Sequence, residues 1–166
     1  GPVAFFKIFS SAVAPRPIAF VSTVAPDGTK NLSPFSFFNF FSANPPVLVF
    51  SVSTPASGGE KDTLRNVRES GECIIHITDR TLGDQLNLAS AVYAPDIDEF
   101  EKAGLTAVAG DEVSAFRVAE AKIAMECRVR QIVPLGDQRA SGNLVICDVV
   151  KLHADESILF EDGASI

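Results

Sequence analysis

The chain has 166 residues and a formal net charge of −7, with 46% hydrophobic and 21% charged residues. This balance indicates one folded domain over residues 1–166 and excludes an intrinsically disordered chain. The negative charge argues against non-specific binding to nucleic acid, and no apolar run reaches the roughly 20 residues that span a membrane. We therefore expect neither nucleic acid nor a membrane among the partners.

Six segments are typical of β-strands, because they are rich in β-branched residues or alternate apolar with polar residues. A Pro26-Asp27-Gly28 turn joins the first two segments. Short helices are expected before residue 13, from Thr63 after an Asp62 cap, and in pieces between residues 82 and 103. Without βαβ alternation, the pattern favours a mainly β antiparallel barrel with a few short helices. The predicted strands cover residues 18–24, 29–35, 47–53, 72–78, 121–130 and 143–154.

Three cysteines, Cys73, Cys127 and Cys147, stand far apart, each within an apolar run. The chain has no CxxC pair and only two histidines, so the ligand spacing of a metal or redox site is missing. We predict core roles for the cysteines and no metal site. Free cysteines fit a reducing, cytoplasmic location.

Common catalytic signatures are missing from the sequence, including GxGxxG, the P-loop, GxSxG and HExxH. His76 and His153 are the only histidines, and their places in and at the end of apolar strands favour packing or surface roles. We therefore assign no catalytic residue. If the protein is an enzyme, a bound cofactor supplies the chemistry.

The segment from Pro15 to Pro46 places hydroxyl and amide groups among aromatic side chains. Hydroxyls can bind a phosphate, amides can bind a heteroaromatic edge, and phenylalanine rings can form an apolar wall. The alternative is an ordinary hairpin whose phenylalanines are core and whose Ser and Asn residues form turns. The candidate ligand-binding residues of this segment are Arg16, Ser22, Thr23, Ser33, Ser36, Phe37, Phe38 and Asn39, with Phe40 and Phe41 extending the wall.

A second candidate site is Lys61-Asp62-Thr63, at the start of a predicted helix. Backbone N–H groups at a helix N-terminus, the charge of Lys61 and the hydroxyl of Thr63 can together bind an anion. A capped surface helix with a solvated lysine explains the same residues equally well.

The order and spacing of several blocks resemble the flavin reductase-like family, the FMN-binding split barrels related to flavoredoxin. The blocks are PRPIAFVSTVAPDGTKNLSPFSFFNFFSANPPVLVFS, KDTLRNVRESGECIIHI, DEFEKAGLT, MECRV and LVICDVVKLH, which span nearly all of the chain. The resemblance implies a six-stranded antiparallel Greek-key split barrel that forms a homodimer, with FMN near the subunit interface.

The resemblance also implies roles for the candidate residues. Ser22 and Thr23, with Lys61 and Thr63, are expected to hold the phosphate and ribityl chain. The isoalloxazine is expected to lie against Ser36, Phe37, Phe38 and Asn39, with Arg16 and Ser33 as weaker assignments. Two departures stand out: His76 occupies a position where the family often has Asn, and family members commonly continue past this end with segments that help to cover the flavin. We expect that family tail to be absent and part of the pocket with it.

The implied activity is that of an NAD(P)H-dependent flavin reductase. Hydride would pass from NADH or NADPH to the flavin, and electrons would continue to a small-molecule or protein acceptor. Two alternatives stay open at this point: a flavin-binding electron carrier without turnover, and a barrel that has lost its cofactor and serves as a binding module.

Overall fold

The computed structural model describes residues 2–55, 57–161 and 163, so the extreme ends of the predicted domain lie outside the described residues. A mainly β fold with short helices is confirmed. The helices are α1 (Pro2–Ala12), α2 (Asp62–Ser70), α3 (Gly83–Ala89) and α4 (Glu99–Ala103), with 3₁₀ turns at Arg80–Leu82 and Glu156–Ile158. The strands are β1 (Ala19–Val24), β2 (Lys30–Phe35), β3 (Phe38–Ala43), β4 (Pro46–Ser53), β5 (Glu72–Ile77), β6 (Ala107–Ala109), β7 (Phe116–Val118), β8 (Ile123–Pro134) and β9 (Gly142–Ala154).

Seven strands form one antiparallel sheet in the order β2-β1-β5-β8-β9-β4-β3, and β6 pairs with β7 as a separate hairpin. The sheet curls until β2 approaches β4, where the rings of Phe35 and Phe50 stand 5.4 Å apart. The split-barrel class is confirmed, but the expected six strands become nine among the described residues. The sequence pattern missed β3 because its aromatic run does not alternate, and β6 and β7 because three residues carry no measurable period.

The hairpin that the Pro26-Asp27-Gly28 sequence predicts is present. The Gly28 N–H donates to the carbonyl of Ala25 at 2.9 Å, and the Asp27 carboxylate accepts from the N–H of Thr29. Gly28 has φ +91°, which glycine adopts without a steric cost. The turn sets the register of β1 against β2, so that Thr23 faces Asn31.

Strand β1 contributes side chains to two separate cores, because successive side chains point to opposite faces of a strand. Val21 lies in the barrel core with Phe50, whereas Phe20 lies in a second core beneath α3, α4 and β7 with Phe100. All three cysteines are buried in the barrel core, as predicted, and the sulfur atoms of Cys73 and Cys147 are 3.9 Å apart. The neighbouring thiols of Cys127 and Cys147, together with burial, raise the pKa of Cys73.

Helix α1 lies at the surface and presents a strongly apolar face. Phe5, Phe6, Ile8 and Phe9 are each about 60% exposed. None of the helices in the described part of the chain combines the length and the apolar character needed to cross a membrane. The exposed rings of α1 border the candidate site described next.

Candidate functional site

A cleft of about 300 Å³ opens between the end of α1, the β2–β3 connection and strand β4. Its wall is apolar and its edge is polar, and Arg16 is the only charged side chain among its described lining residues. Five predicted binding residues meet here. The cleft is lined by Val13, Pro15, Arg16, Pro17, Ser36, Phe37, Phe38, Asn39, Phe41, Val49, Ser51 and Leu144.

Strand β3 forms the floor of this cleft at an edge of the sheet. It pairs only with β4, with Phe38 opposite Phe50, and its register shifts between Phe40 and Ser42. Such bulges re-aim side chains and are frequent beside binding sites. Asn39 lies at the surface, where its Oδ1 accepts from the N–H of Phe40 at 2.8 Å. Its Nδ2 donor makes no hydrogen bond within the described residues and is available to a ligand.

Arg16 joins α1 to the cleft. Its Nη1 donates to the carbonyls of Ser10 (2.6 Å) and Val13, which are carbonyls at the end of α1 without helical partners. Its Nε lies 3.5 Å from the hydroxyl of Ser36, and its guanidinium stands 5.7 Å from the ring centroid of Phe37. The side chain predicted to reach a ligand therefore already caps a helix, and it orients the Ser36–Phe37 turn.

Lys61 lies beside the end of β2. Its Nζ is 5.6 Å from the centroid of the Phe35 ring, and Phe35 immediately precedes Ser36. The helix begins at Asp62, one residue before the predicted start, and Lys61 is its N-cap without a capping side-chain bond. The Asp62 carboxylate pairs with Arg65 at 2.7 Å, which offsets its repulsion of an anion at this helix end. The predicted cation and helix N-terminus therefore do come together.

The Thr63 hydroxyl does not reach the surface but belongs to a buried polar network. It donates to Asn31 Oδ1 at 2.8 Å, and the Thr23 hydroxyl donates to the same oxygen at 3.2 Å. The Asn66 amide donates to Thr23 at 3.0 Å, and Asn31 Nδ2 donates to Glu99 at 2.9 Å. Burial raises the pKa of Glu99, although the bonds from Asn31 and the Leu32 N–H oppose that rise. This network fastens α2 and α4 to the first hairpin.

Ser22 and Thr23 do not meet at one site, because they are successive residues of β1 and face opposite sides. The Ser22 hydroxyl is fully buried and donates to the carbonyl of Phe116 at 2.5 Å, in the second core. Ser33 pairs with Val21 and lies half-buried on the face of β2 that also carries Asn31 and Phe35. Flavin contacts of these residues stay predictions. In this structure two of the three side chains hold the fold instead.

His76 is fully buried, and its two ring nitrogens are both engaged. Because the Phe20 carbonyl can only accept, Nδ1 carries the proton and donates to it at 2.8 Å, which leaves Nε2 to accept from the Val118 N–H at 2.9 Å. Burial lowers the pKa of His76 to about 4, so the ring is neutral. The geometry agrees with the predicted packing role and fills in the role that the sequence left open.

Glu126, Asp111 and His153 bring potential metal-ligand atoms within 4.8 Å of one another. Glu126 is fully buried and accepts from three successive backbone N–H groups, of Asp111, Glu112 and Val113, at 2.7–3.0 Å, and its Oε1 lies 2.6 Å from His153 Nε2. Burial alone would raise the pKa of Glu126, but these bonds lower it to about 2. The cluster is explained as an anchor for the β6–β7 loop.

Sequence reasoning missed several residues that define the site. Asn31, Asn66 and Glu99 build the network behind α2, and Ser51 lines the cleft from β4. Asn31 carried a local signal, because it lies within the Pro15–Pro46 segment, three residues after the predicted turn. Glu99 carried none, since its partners are 67 and 68 residues away in the chain.

Comparison with known proteins gives a consistent result. Residues 11–164 match the family described as "Flavin reductase like domain". An uncharacterized protein of Halalkalibacterium halodurans is 38% identical over 160 residues, which cover 95% of this chain and 76% of that protein.

Two solved structures are similar over nearly the whole chain. The crystal structure of nitrilotriacetate monooxygenase component B from Bacillus cereus is 35% identical, with a TM-score of 0.92 over 97% of this chain and 80% of that one. The 2-nitrobenzoate 2-nitroreductase NbaA of Pseudomonas fluorescens is 25% identical, with a TM-score of 0.87 over 100% and 78%. These likenesses support a flavin-related oxidoreductase or electron carrier. The chain belongs to the flavin reductase-like family.

Proposed function

We propose that this protein is an FMN-dependent NAD(P)H oxidoreductase of the flavin reductase type. The observation that carries the proposal is the cleft itself, which has phenylalanine rings and a polar edge. Lys61, at the N-terminus of α2, contacts the ring of Phe35, the residue that precedes Ser36 of the cleft. This donor set fits a planar ring joined to a phosphate. When bound, FMN would supply the hydride chemistry between NADH or NADPH and a small-molecule or protein acceptor.

The residues of the chain have positioning roles in this proposal. Phe37 and Phe38 exclude water from one face of the ring, and Ser36 and Asn39 orient its polar edge. Lys61 and the first backbone N–H groups of α2 hold the phosphate. The described lining residues of the cleft include no carboxylate, histidine or thiol, so the proposal assigns the hydride chemistry to the flavin and not to a side chain.

We further propose a homodimer with the flavin near its interface. Large exposed aromatic residues border the cleft on two sides: Phe5 and Phe9 on α1, and Phe40 and Phe41 on β3. Clustered exposure of this kind supports an association surface. Light scattering on the purified protein, with and without FMN, measures the mass. A monomer under both conditions would contradict this part of the proposal.

The test of the function is the absorption spectrum of the purified protein, recorded before and after anaerobic NADH and NADPH. Flavin absorption that either nucleotide bleaches, and that an added acceptor restores, supports the oxidoreductase. The likeness to a monooxygenase component and a nitroreductase supports electron transfer to such an acceptor. Failure to bind FMN would contradict the proposal and favour a barrel without its cofactor.

A flavin electron carrier is the second candidate. It requires the same cleft but no bound nicotinamide. The same experiment separates the two, because a carrier binds FMN but is not bleached by NADH or NADPH at a useful rate.

A further inference from the structure

We propose that Glu99 is a positioning residue for phosphate binding at the start of α2, acting through Asn31 and Thr63. The inference rests on the proposed function, since it assumes that the flavin phosphate binds beside Lys61. It concerns a helix that does not touch the cleft and a residue that lies 36 positions after Thr63 in the chain.

An unbroken chain of hydrogen bonds connects the two helices. Glu99 Oε1 accepts from Asn31 Nδ2 at 2.9 Å, and Asn31 Oδ1 accepts from the Thr63 hydroxyl at 2.8 Å. The three residues are only 2–6% exposed, so water does not compete for these bonds. Thr63 is the second residue of α2 and stands two positions after Lys61.

The chemistry of a carboxylate fixes the direction of this chain. An asparagine amide has one donating and one accepting end and can be turned either way. Both oxygens of Glu99 accept hydrogen bonds, so Glu99 takes the NH₂ end of Asn31 and turns the oxygen of Asn31 towards Thr63. The second oxygen of Glu99 accepts from the N–H of Leu32 at 3.2 Å, which holds the carboxylate itself in place.

Asn31 Oδ1 is also the point to which the next turn of α2 is tied. The Thr23 hydroxyl donates to it at 3.2 Å and in turn accepts from the Asn66 amide at 3.0 Å. The first and second turns of the helix therefore depend on one oxygen atom, and Glu99 sets its orientation. In that first turn the N–H groups of Leu64 and Arg65 donate to the Lys61 carbonyl at 2.9 and 3.1 Å, whereas those of Asp62 and Thr63 make no backbone hydrogen bond within the described residues and can bind a phosphate.

The test is Glu99→Gln in the full chain. Its new NH₂ group would face either the Asn31 amide, which breaks the chain, or the Leu32 N–H, which removes the bond that holds the Glu99 side chain in place. Fluorescence titration gives the dissociation constants of FMN and of riboflavin, which lacks the phosphate. We expect FMN affinity to fall about tenfold, the loss from one misplaced hydrogen-bonding group, with riboflavin affinity unchanged.

The matched control is Asp98→Asn, on the same helix. Asp98 pairs with Lys30 at 2.5 Å and caps α4, so this variant removes the same charge, breaks another contact with β2 and keeps a capping side chain. We expect its ratio of FMN to riboflavin affinity to equal that of the wild type. If Glu99→Gln fails to fold, Asn31→Ala breaks the same chain at its centre and gives the ratio.

Three outcomes would overturn the inference: an unchanged ratio in Glu99→Gln, an equal loss for both flavins, or the same loss of ratio in Asp98→Asn. The second outcome identifies a purely structural role. A wild type that binds neither flavin refutes the proposed function. A wild type that prefers FMN, together with a Glu99→Gln variant that keeps the preference, refutes only the role of Glu99.

Discussion

His76 on β5 accepts a hydrogen bond from the backbone N–H of Val118 on β7 at 2.9 Å. Together with its bond to the Phe20 carbonyl, this contact ties the β6–β7 hairpin to the main sheet through one imidazole ring. Only the neutral ring can accept at Nε2 while it donates at Nδ1. The attachment of the hairpin therefore depends on the protonation state of His76.

The first prediction concerns stability below neutral pH. The pKa of His76 falls from 6.5 in the unfolded chain to about 4 in the fold. As the pH is lowered, His76 is therefore protonated in the unfolded chain before it is protonated in the folded protein. Stability is therefore complete above about pH 6.5 and falls as the pH drops towards 4, by roughly 2 kcal/mol between about pH 7 and pH 5. Urea unfolding of the flavin-free protein at the two pH values measures the loss. His76→Asn should flatten this slope, and an unchanged slope in the variant would assign it to other groups.

The second prediction concerns the anchor of the 111–113 loop. Glu126→Gln replaces an acceptor-only group by one whose NH₂ end faces backbone donors, and it should cost about 3 kcal/mol of unfolding free energy. Asp111→Asn is the control, because the side chain of Asp111 is exposed and its N–H, not its carboxylate, binds Glu126. Chemical denaturation should rank the control close to wild type. Equal losses of unfolding free energy in both variants would mean that the negative charge itself, and not the three N–H bonds to Glu126, stabilises the loop.

The third prediction concerns Lys61. Lys61→Ala should weaken FMN binding about tenfold and leave riboflavin binding unchanged, because only FMN carries the phosphate. Lys151→Ala is the matched control, because it removes the same charge from β9, where Lys151 pairs with Asp111 at 3.5 Å, and it should not alter either affinity. Fluorescence titrations of both variants with FMN and with riboflavin measure these affinities. A loss that is equal for both flavins in Lys61→Ala would place the lysine elsewhere than at the phosphate.

The fourth prediction concerns the attachment of α1. Arg16→Lys retains the charge but cannot cap two carbonyls and approach Ser36 at the same time. We expect amide hydrogen exchange in residues 2–12 to accelerate, while the unfolding free energy of the barrel changes by less than about 0.5 kcal/mol. Arg139→Lys is the control, because Arg139 and Arg16 both line a groove beside the exposed rings of α1. Exchange that stays slow in Arg16→Lys would show that α1 is held by other contacts.

Local signals in the sequence predicted most of the fold. The β-branched runs, the Pro26-Asp27-Gly28 turn and the short helices are properties of neighbouring residues, and all of them are found in the structure. Strand β3 was missed because its aromatic residues were interpreted as the wall of a ligand-binding site. A strand at the edge of a sheet can form such a wall and pair with its neighbour at the same time. The start of α2 shifted by one residue, because Lys61 and not Asp62 occupies the extended N-cap position.

The candidate site was only partly predictable. Ser36, Phe37, Phe38 and Asn39 meet because they lie on the β2–β3 connection and the start of β3, which a sequence shows directly. Arg16 lies on the α1–β1 connection, and the pairing of Ala19 with Phe35 brings that connection beside them. Hydroxyls inside strands were different, since their direction depends on which face of the strand is buried. Ser22 and Thr23 are adjacent in the chain yet face different cores, and no local pattern shows that Thr63 turns inward to Asn31.

The burial of Cys73, Cys127 and Cys147 has a practical consequence. These are all the cysteines of the chain, and none has measurable exposure in the folded state. A thiol reagent can therefore modify the protein only when the barrel opens, so the rate of modification counts openings of the whole core. The rate at which these three thiols are modified therefore measures the unfolding of the barrel, without an added tag or a bound flavin.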